Sequence, residues 1–195
     1  RSTDKVGNRE VETFERKTVL GKEVFPEGSY YPIPNTQRGS DAAVSPDGSK
    51  VAYFEYTDGV LNLVTINIDG TDKKNLTNYT DGTWLQKVDW SPDGTQLVLS
   101  IFRNFQQDLY IVQADGSGIK PITWDNWEEM DAHWAADGDI YFAAEPDGIF
   151  NVYRYEPDTG DFFQVTNVVG GAVTPQISPS GHMAYTYYSA AGWKV

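Results

Sequence analysis

The sequence predicts an all-β protein built from four-stranded antiparallel propeller blades, and three observations support that prediction. A turn motif recurs as VSPDG at 44–48, WSPDG at 90–94, WAADG at 134–138 and ISPSG at 177–181. Counted from positions 45, 91, 135 and 178, the copies are 46, 44 and 43 residues apart, the period of propeller blades. Aromatic residues make up 14% of the chain, which favours strands. No stretch sustains the 3.6-residue period of a helix.

The N-terminal segment, residues 1–40, matches this pattern least closely. VETFER at 11–16 and KEVF at 22–25, separated by a turn that ends at Gly21, resemble the third and fourth strands of a blade. We therefore predict a half blade at 11–25 within this segment.

Three whole blades follow, and each repeats the same order of apolar strands and short turns. The first covers residues 41–80, with the strands KVAYFEY and LNLVTIN, the turn IDGT and the ending KNLT. The second covers residues 81–126, with the strands LQKVDW, QLVLSI, DLYIVQ and IKPIT. The third covers residues 127–167, with DIYFAA, FNVYRY, the turn EPDTG and FFQVT. Short apolar runs bounded by turn residues are typical of strands joined in hairpins.

Residues 168–195 predict a partial blade. Residues 172–188 supply a first and a second strand, and the sequence then ends at GWKV, where a third strand would begin. The sequence therefore holds about four blade equivalents, three of them whole and two of them half.

We interpret the recurring turn as structural rather than catalytic. Proline presets the φ angle of a type I turn, aspartate accepts backbone hydrogen bonds, and glycine takes the left-handed conformation. The third copy lacks Ser and Pro and the fourth has Ser180 in place of Asp, but all four keep the glycine. The structural turn residues are Ser45, Pro46, Asp47, Gly48, Ser91, Pro92, Asp93, Gly94, Asp137, Gly138, Ser178, Pro179 and Gly181.

Composition argues against several classes of function. The formal net charge of −13 gives a surface that repels phosphate backbones, so we expect no nucleic-acid partner. There is no cysteine, which excludes disulfides and thiolate metal sites and fits cytoplasm and periplasm equally. No apolar run reaches the roughly 18 residues of a transmembrane segment. The sequence begins at Arg1 without a signal-peptide core, so a mature chain and a piece of a longer one both stay open.

The loops on the side opposite the tight turns are longer and richer in aromatic and acidic residues, so we expect partner binding there. WDNWEEM at 124–130 could grip a peptide, a sugar or a cation, or its tryptophans could wedge between blades while its acids face water. FRNFQQ at 102–107, predicted as a loop, could present its rings or pack them inward. The candidate partner-binding residues are Trp124, Asp125, Trp127, Glu128, Glu129, Phe102, Arg103 and Phe105.

First strands lie nearest the channel of a propeller, so polar residues two and four positions before each turn are candidates to line it. These channel-lining candidates are Asp41, Lys87, Asp89, Asp131, His133 and Gln176. A metal held by Asp89, Asp131 and His133 would draw its ligands from separate blades, and hydrogen bonds between blades are the stronger interpretation. We predict no metal, no cofactor and no catalytic residue.

The motif WSPDG, strands such as KVAYF and LYIV, and the paired endings DG and LT or IT resemble the PD40 or TolB-like family of WD40-like propeller repeats. The resemblance covers residues 41–188 and, weakly, 11–25. It implies a propeller of six blades, or in some members seven or eight. Six blades of about 44 residues need roughly 264 residues. We therefore expect part of a larger propeller, completed by its remaining blades or by another chain.

The resemblance also implies a non-catalytic scaffold with protein partners, on the periplasmic or extracellular face of a bacterial envelope or within a larger complex. A cytoplasmic location stays open. The alternatives are the propeller part of a larger enzyme, either a prolyl-oligopeptidase-type peptidase or a polysaccharide lyase, and a carbohydrate-binding module. The sequence contains no G-x-S-x-G nucleophile motif and has two histidines, too few for a lyase site with several histidine ligands. We predict no enzymatic activity for this segment and leave the parent protein open.

Overall fold

The computed structural model describes residues 33–195 and, within residues 1–32, the backbone of four short strands. These are β1 (Ser2–Val6), β2 (Arg9–Thr13), β3 (Lys17–Val19) and β4 (Lys22–Val24). They pair as two separate antiparallel hairpins, β1 with β2 and β3 with β4. The half blade predicted at 11–25 falls partly on residues outside the described ones and stays a prediction.

Strands β5 to β19 form four antiparallel sheets in which strands adjacent in the sequence are adjacent in space. The first blade contains β5 (Gly39–Val44), β6 (Lys50–Thr57), β7 (Val60–Asn67) and β8 (Lys74–Asn75). The second contains β9 (Trp84–Trp90), β10 (Gln96–Arg103), β11 (Gln106–Gln113) and β12 (Ile119–Pro121). The third contains β13 (Glu129–Trp134), β14 (Ile140–Ala144), β15 (Asn151–Glu156) and β16 (Asp161–Gln164). The fourth sheet has β17 (Ala172–Ile177), β18 (Met183–Ser189) and β19 (Gly192–Lys194).

This architecture confirms the predicted all-β propeller class, and no helix occurs in the part of the chain that the structure describes. The blade boundaries drawn from the sequence stay predictions. In the last sheet a short third strand, β19, pairs with β18 and begins at Gly192, where the sequence indicated that a third strand would begin. The described residues also contain no helix of the length and apolarity that a bilayer crossing requires.

The four recurring turns have one geometry. In each copy the glycine N–H donates to the carbonyl three residues earlier, at 2.8 to 3.0 Å. Around Asp93, the Ser91 hydroxyl donates to the carboxylate at 2.6 Å and the Thr95 N–H at 3.0 Å. In the fourth copy the hydroxyls of Ser178 and Ser180 lie 3.0 Å apart and take the place of the Ser–Asp bond. We name the side of the sheets that carries these turns the turn face.

Two of the three hydrophobic clusters among the described residues lie between blades. One joins the first and second blades and includes Phe54, Leu63 and Leu99, which are fully buried. Another joins the second and third blades and includes Leu109 and Ile140. The third lies in the first blade alone, with Ile33 packed against it. Blade faces that meet a neighbour are therefore buried by stacking, as expected of a repeat architecture.

Each first strand carries a β-bulge at the position four residues before its turn. The bulge residues have positive φ angles of 47° to 57° and are Asp41, Lys87, Asp131 and Thr174. The pairing register between the first and second strands shifts at or opposite these residues. A bulge bends the strand and redirects a side chain, so one residue of every blade is turned out of the regular ladder.

Candidate functional site

Three of the predicted channel residues meet at one cavity. Asp41, Lys87 and Asp131, the bulge residues of three successive blades, line a cavity of about 730 Å³ together with Arg38 and Trp84. The cavity lies at the strand ends opposite the turn face. We name this opposite side, where each fourth strand leads to the next blade, the loop face. Burial raises the pKa of the Asp131 carboxyl, although Lys87 acts in the other direction.

The other channel candidates join blades to one another. His133 Nδ1 lies 2.7 Å from Asp89 Oδ2, and the N–H of Trp134 donates to the same oxygen at 3.1 Å. His133 Nε2 lies 3.3 Å from the carbonyl of Ile177, so this ring bridges three successive blades. Gln176 is exposed and its amide contacts the carbonyl of Pro175 beside it. Among the described residues no three His, Cys, Asp or Glu side chains are grouped as ligands for a metal ion.

The segment FRNFQQ is not a loop, and that expectation was wrong. β10 and β11 extend to Arg103 and Gln106, so only a two-residue turn remains, Asn104–Phe105, with both residues at positive φ. This turn is the tight hairpin type whose twist matches that of its strands. Its tip presents Phe105, which is 93% exposed, on the loop face.

The two residues before that turn, Phe102 and Arg103, are held by contacts with neighbouring strands and loops. Phe102 is a strand residue that pairs with Gln107 on one side and Trp84 on the other. Arg103 forms an ion pair with Asp81 at 3.0 Å, an exposed contact with the loop before β9. Of the three candidates in this hairpin, Phe105 is thus the one free to meet a partner through most of its surface.

The WDNWEEM segment divides into an exposed and a buried part. Trp124 is 75% exposed, and Trp127 and Glu128 are also exposed. Glu129 is 1% exposed and accepts a hydrogen bond from the Thr123 hydroxyl at 3.0 Å. The expectation that this glutamate faces a partner or water at the surface was therefore wrong, because β13 begins at Glu129 and turns its side chain inward.

Glu129 lies at the base of a cavity between the second and third blades. The cavity measures about 290 Å³, and its wall residues include Trp124, Trp127, Phe142, Tyr153 and Phe162. Phe142 stacks on Tyr153 with ring centroids 6.0 Å apart and meets Phe162 edge-on at 6.2 Å. We name this cavity the Trp124 pocket. It opens on the loop face, as the larger cavity does.

Burial raises the pKa values of two acidic side chains at this pocket. Desolvation raises the pKa of Glu129 to about 8, with further contributions from Asp125 and Asp108. Desolvation also raises the pKa of Asp108, a strand residue of β11 that is 6% exposed. The amide of Gln106 donates to the carbonyl of Asp125, which ties the hairpin tip to the pocket loop. Glu129 therefore holds a proton at neutral pH in the free protein.

Sequence reasoning missed the inner wall of the pocket, namely Phe142, Tyr153 and Phe162. A signal for Glu129 did exist, because it stands six positions before its turn, where the first blade has the exposed Gly39 and the second and fourth blades have Leu85 and Ala172. Both of those residues are buried. Aligning the repeats by their turns would thus have placed Glu129 inside rather than outside.

Comparison with known proteins gives one family. The model described as PD40, the TolB beta propeller domain, matches residues 40–193. A TolB homologue from Chlorobaculum tepidum is 35% identical over 81 residues, which are 42% of this chain and 18% of that protein. A dipeptidyl-peptidase 5 from Porphyromonas endodontalis is 32% identical over 107 residues, 49% of this chain and 15% of that protein.

Solved structures show the same fold. The crystal structure of TolB from Acinetobacter baumannii superposes with a TM-score of 0.68 at 19% identity, over 80% of this chain and 39% of that one. The chain spans about half, or less, of the length of the curated relatives it matches.

Proposed function

We propose, because this chain belongs to the TolB beta propeller domain family, that it is a non-catalytic scaffold that binds protein partners. It acts as a segment of a larger propeller, whose other blades lie elsewhere in the same protein or in a partner chain. Its place is the periplasmic or extracellular face of a bacterial envelope, as the family resemblance implies. Its loop face is the binding surface.

The observation that carries this proposal is the contrast between the two sides of the blades. The turn face consists of short turns closed by their own hydrogen bonds. The loop face holds both the cavity of about 730 Å³ and the Trp124 pocket, with Phe105 projecting beside them. Exposed aromatic side chains next to cavities are the usual anchors of protein interfaces. The named partner-binding candidates on this face are Trp124, Asp125, Trp127, Glu128 and Phe105.

Site-specific photo-crosslinking tests the proposal. A photoreactive phenylalanine replaces Phe105 on the loop face, and a matched control replaces Ile68, an exposed apolar residue (57%) on the turn face. Irradiation in the native envelope should give a discrete crosslinked protein from position 105 and none from position 68. Equal products from both positions, or none from either, would count against a protein-binding loop face.

A second candidate is the propeller part of a peptidase, which the likeness to dipeptidyl-peptidase 5 favours. In that case the blades act in substrate access, and the chemistry belongs to another domain of the parent protein. The complete gene product decides between the two. A hydrolase domain with its own nucleophile motif beside these blades would support the peptidase, and its absence would support the scaffold.

A further inference from the structure

The Trp124 pocket occurs at one blade junction, and its acids replace residues that the other blades use for structure. Glu129 is 1% exposed at a position where the neighbouring blades bury Leu85 and Ala172. A blade therefore folds well with an apolar residue at this position. A buried carboxyl group costs free energy that a leucine would not, so the fold itself does not explain Glu129.

The second acid, Asp108, also differs from the equivalent residues of the first and third blades. In the first blade the Thr77 hydroxyl donates to Asn62 at 3.0 Å, and in the third blade Thr166 donates to Asn151 at 3.0 Å. The equivalent threonine of the second blade, Thr123, donates to Glu129 instead.

Asp108 occupies the position of those asparagines, because it pairs with Ile101 as Asn62 pairs with Glu55 and Asn151 with Ala144.. Within residues 33–195 its Oδ1 atom is buried and has no hydrogen-bond partner. Two carboxyl groups have thus replaced a neutral amide and an apolar side chain at the same junction.

The residues around these acids favour a positively charged ligand. The wall of the pocket is aromatic, and its acidic groups are Glu129 and Asp125, with Asp108 nearby. No lysine or arginine among the described residues lines it. Aromatic faces and carboxylates both attract cations. We propose that the Trp124 pocket binds the ammonium group of a lysine side chain presented by a polypeptide partner.

Lysine fits better than arginine for two reasons. Thr123 already donates to Glu129 Oε2, so the fork of a guanidinium would have to share that oxygen, whereas an ammonium group needs one oxygen only. A cavity of about 290 Å³ admits a single side chain, and the aromatic rings can cover its apolar stem while the charge reaches the base. The polypeptide source rests on the proposed scaffold function, whereas the preference for an ammonium group rests on the pocket alone.

Proton exchange provides a signature of this binding. The groups that face the Glu129 carboxyl are Asp108 from β11, Asp125 and Thr123 from the loop, and Tyr153 from β15. None of these groups supplies a positive charge, so Glu129 is protonated below about pH 8. An ammonium group favours the carboxylate, so binding must release a proton below that pH. Affinity therefore rises with pH, by up to about tenfold per unit, and levels off above the pKa.

The test is calorimetric titration of the 195-residue chain with Nα-acetyl-lysine methylamide at pH 6, 7 and 8. We expect the affinity to increase about tenfold from pH 6 to pH 7 and about fivefold from pH 7 to pH 8, where it begins to level off near the pKa of Glu129. Repeating the titration in two buffers of different ionisation enthalpy should show release of close to one proton at pH 6. The norleucine analogue, which has the stem without the amine, should bind at least about tenfold more weakly.

Two variants form a matched pair for this measurement. Glu129→Gln removes the buried acid, and Asp158→Asn makes the same kind of change at an exposed acid in the turn between β15 and β16, away from the pocket. We expect E129Q to lose at least about tenfold in lysine affinity together with its pH dependence, and D158N to stay within about twofold. If E129Q does not fold, the proton release of the unaltered chain decides the question without it.

Several results would overturn the inference. They are equal affinity for the lysine and norleucine analogues, a pH-independent affinity, equal losses in D158N and E129Q, and binding of a chitin disaccharide in place of lysine. Crosslinking through Phe105 without any lysine binding would leave the scaffold in place and remove this pocket from it. Lysine binding without crosslinking through Phe105 would support the pocket and count against the scaffold proposal.

Discussion

The turn face and the loop face are opposite ends of the same strands, and one acid on each, Asp47 and Glu129, has its pKa shifted in the opposite direction. On the turn face, the Ser45 hydroxyl and the Ser49 backbone hold the pKa of Asp47 at about 2. On the loop face, burial raises the pKa of Glu129 to about 8. The turn acids are exposed and satisfied by their own turn, so they recur from blade to blade. The pocket acid is buried and occurs in one blade, which is the pattern expected of a site rather than of a scaffold element.

The largest difference between the two faces is expected in the free energy of unfolding when a tryptophan is replaced by alanine. Trp90 precedes the second turn, is 4% exposed, and its indole N–H donates to the carbonyl of Ala43 in the preceding blade at 3.0 Å. Trp90→Ala should lower the free energy of unfolding by about 3–5 kcal/mol, because it empties part of the core between two blades. Trp124→Ala is the control and should change it by no more than about 0.5 kcal/mol. Urea unfolding followed by circular dichroism measures both, and similar losses would contradict the division of roles.

The next effect is a dependence of stability on pH. Glu129 has a folded pKa above its unfolded value, so the folded state holds the proton that the unfolded state releases. Stability should therefore fall as the pH rises from about 4.5 to about 8, by up to about 1.4 kcal/mol per unit. Glu129→Gln should remove this slope, whereas Glu128→Gln should retain it. Thermal unfolding of the three proteins between pH 5 and pH 8 provides the measurement, and parallel curves would refute the assignment.

A smaller effect is expected at the turn glycines. Gly94 has a φ of 70°, a conformation that costs a residue with a Cβ about 1–2 kcal/mol. Gly94→Ala should destabilise the protein by about 1 kcal/mol, although a Cβ there meets nothing closer than Pro46 at 3.7 Å. Gly118→Ala is the matched control, because Gly118 lies outside the left-handed region and nothing lies within 4 Å of its added Cβ. An equal loss in both variants, measured by urea unfolding, would mean that the φ angle is not the cause.

The smallest effect concerns the aspartate of the turn. Asp93→Ser copies the fourth turn, where Ser180 contacts Ser178 at 3.0 Å. The hydroxyl keeps one hydrogen bond but not the carboxylate, so we expect a loss of about 0.5 kcal/mol. Hydrogen bonds lower the pKa of Asp93 in the folded state, so its contribution is present at neutral pH and is lost progressively as the pH falls below the ordinary value of 3.8. The difference in stability between the variant and the unaltered chain should narrow from pH 7 to pH 2, and a difference that stays constant or grows would contradict this account.

The sequence was informative wherever local chemistry decides the structure. Turns such as Ser91–Gly94 are closed by their own residues, so a four-residue motif was enough to find them and to count the blades. The strands of the second blade were placed within two residues of their observed bounds at nearly every end. Extension of β10 and β11 across FRNFQQ was missed because Asn104 and Phe105 both take left-handed conformations without a glycine.

The pocket could not be read from its own segment. WDNWEEM looks like a polar surface loop, and Glu129 lines the pocket together with Phe142 and Tyr153, which lie on later strands of the same blade. These two residues are 13 and more positions away, and a local pattern does not report them. Burial of this glutamate was visible only in the alignment of one repeat with another.

The bulge in each first strand has a consequence for how the sequence of such a propeller can change in evolution. Asp41, Lys87, Asp131 and Thr174 share a backbone conformation although their side chains differ in size and charge. The strand register, and not the side chain, holds that conformation. Each of the first three blades therefore places one such residue at the cavity, and the charge there can differ from blade to blade while the strand register stays the same.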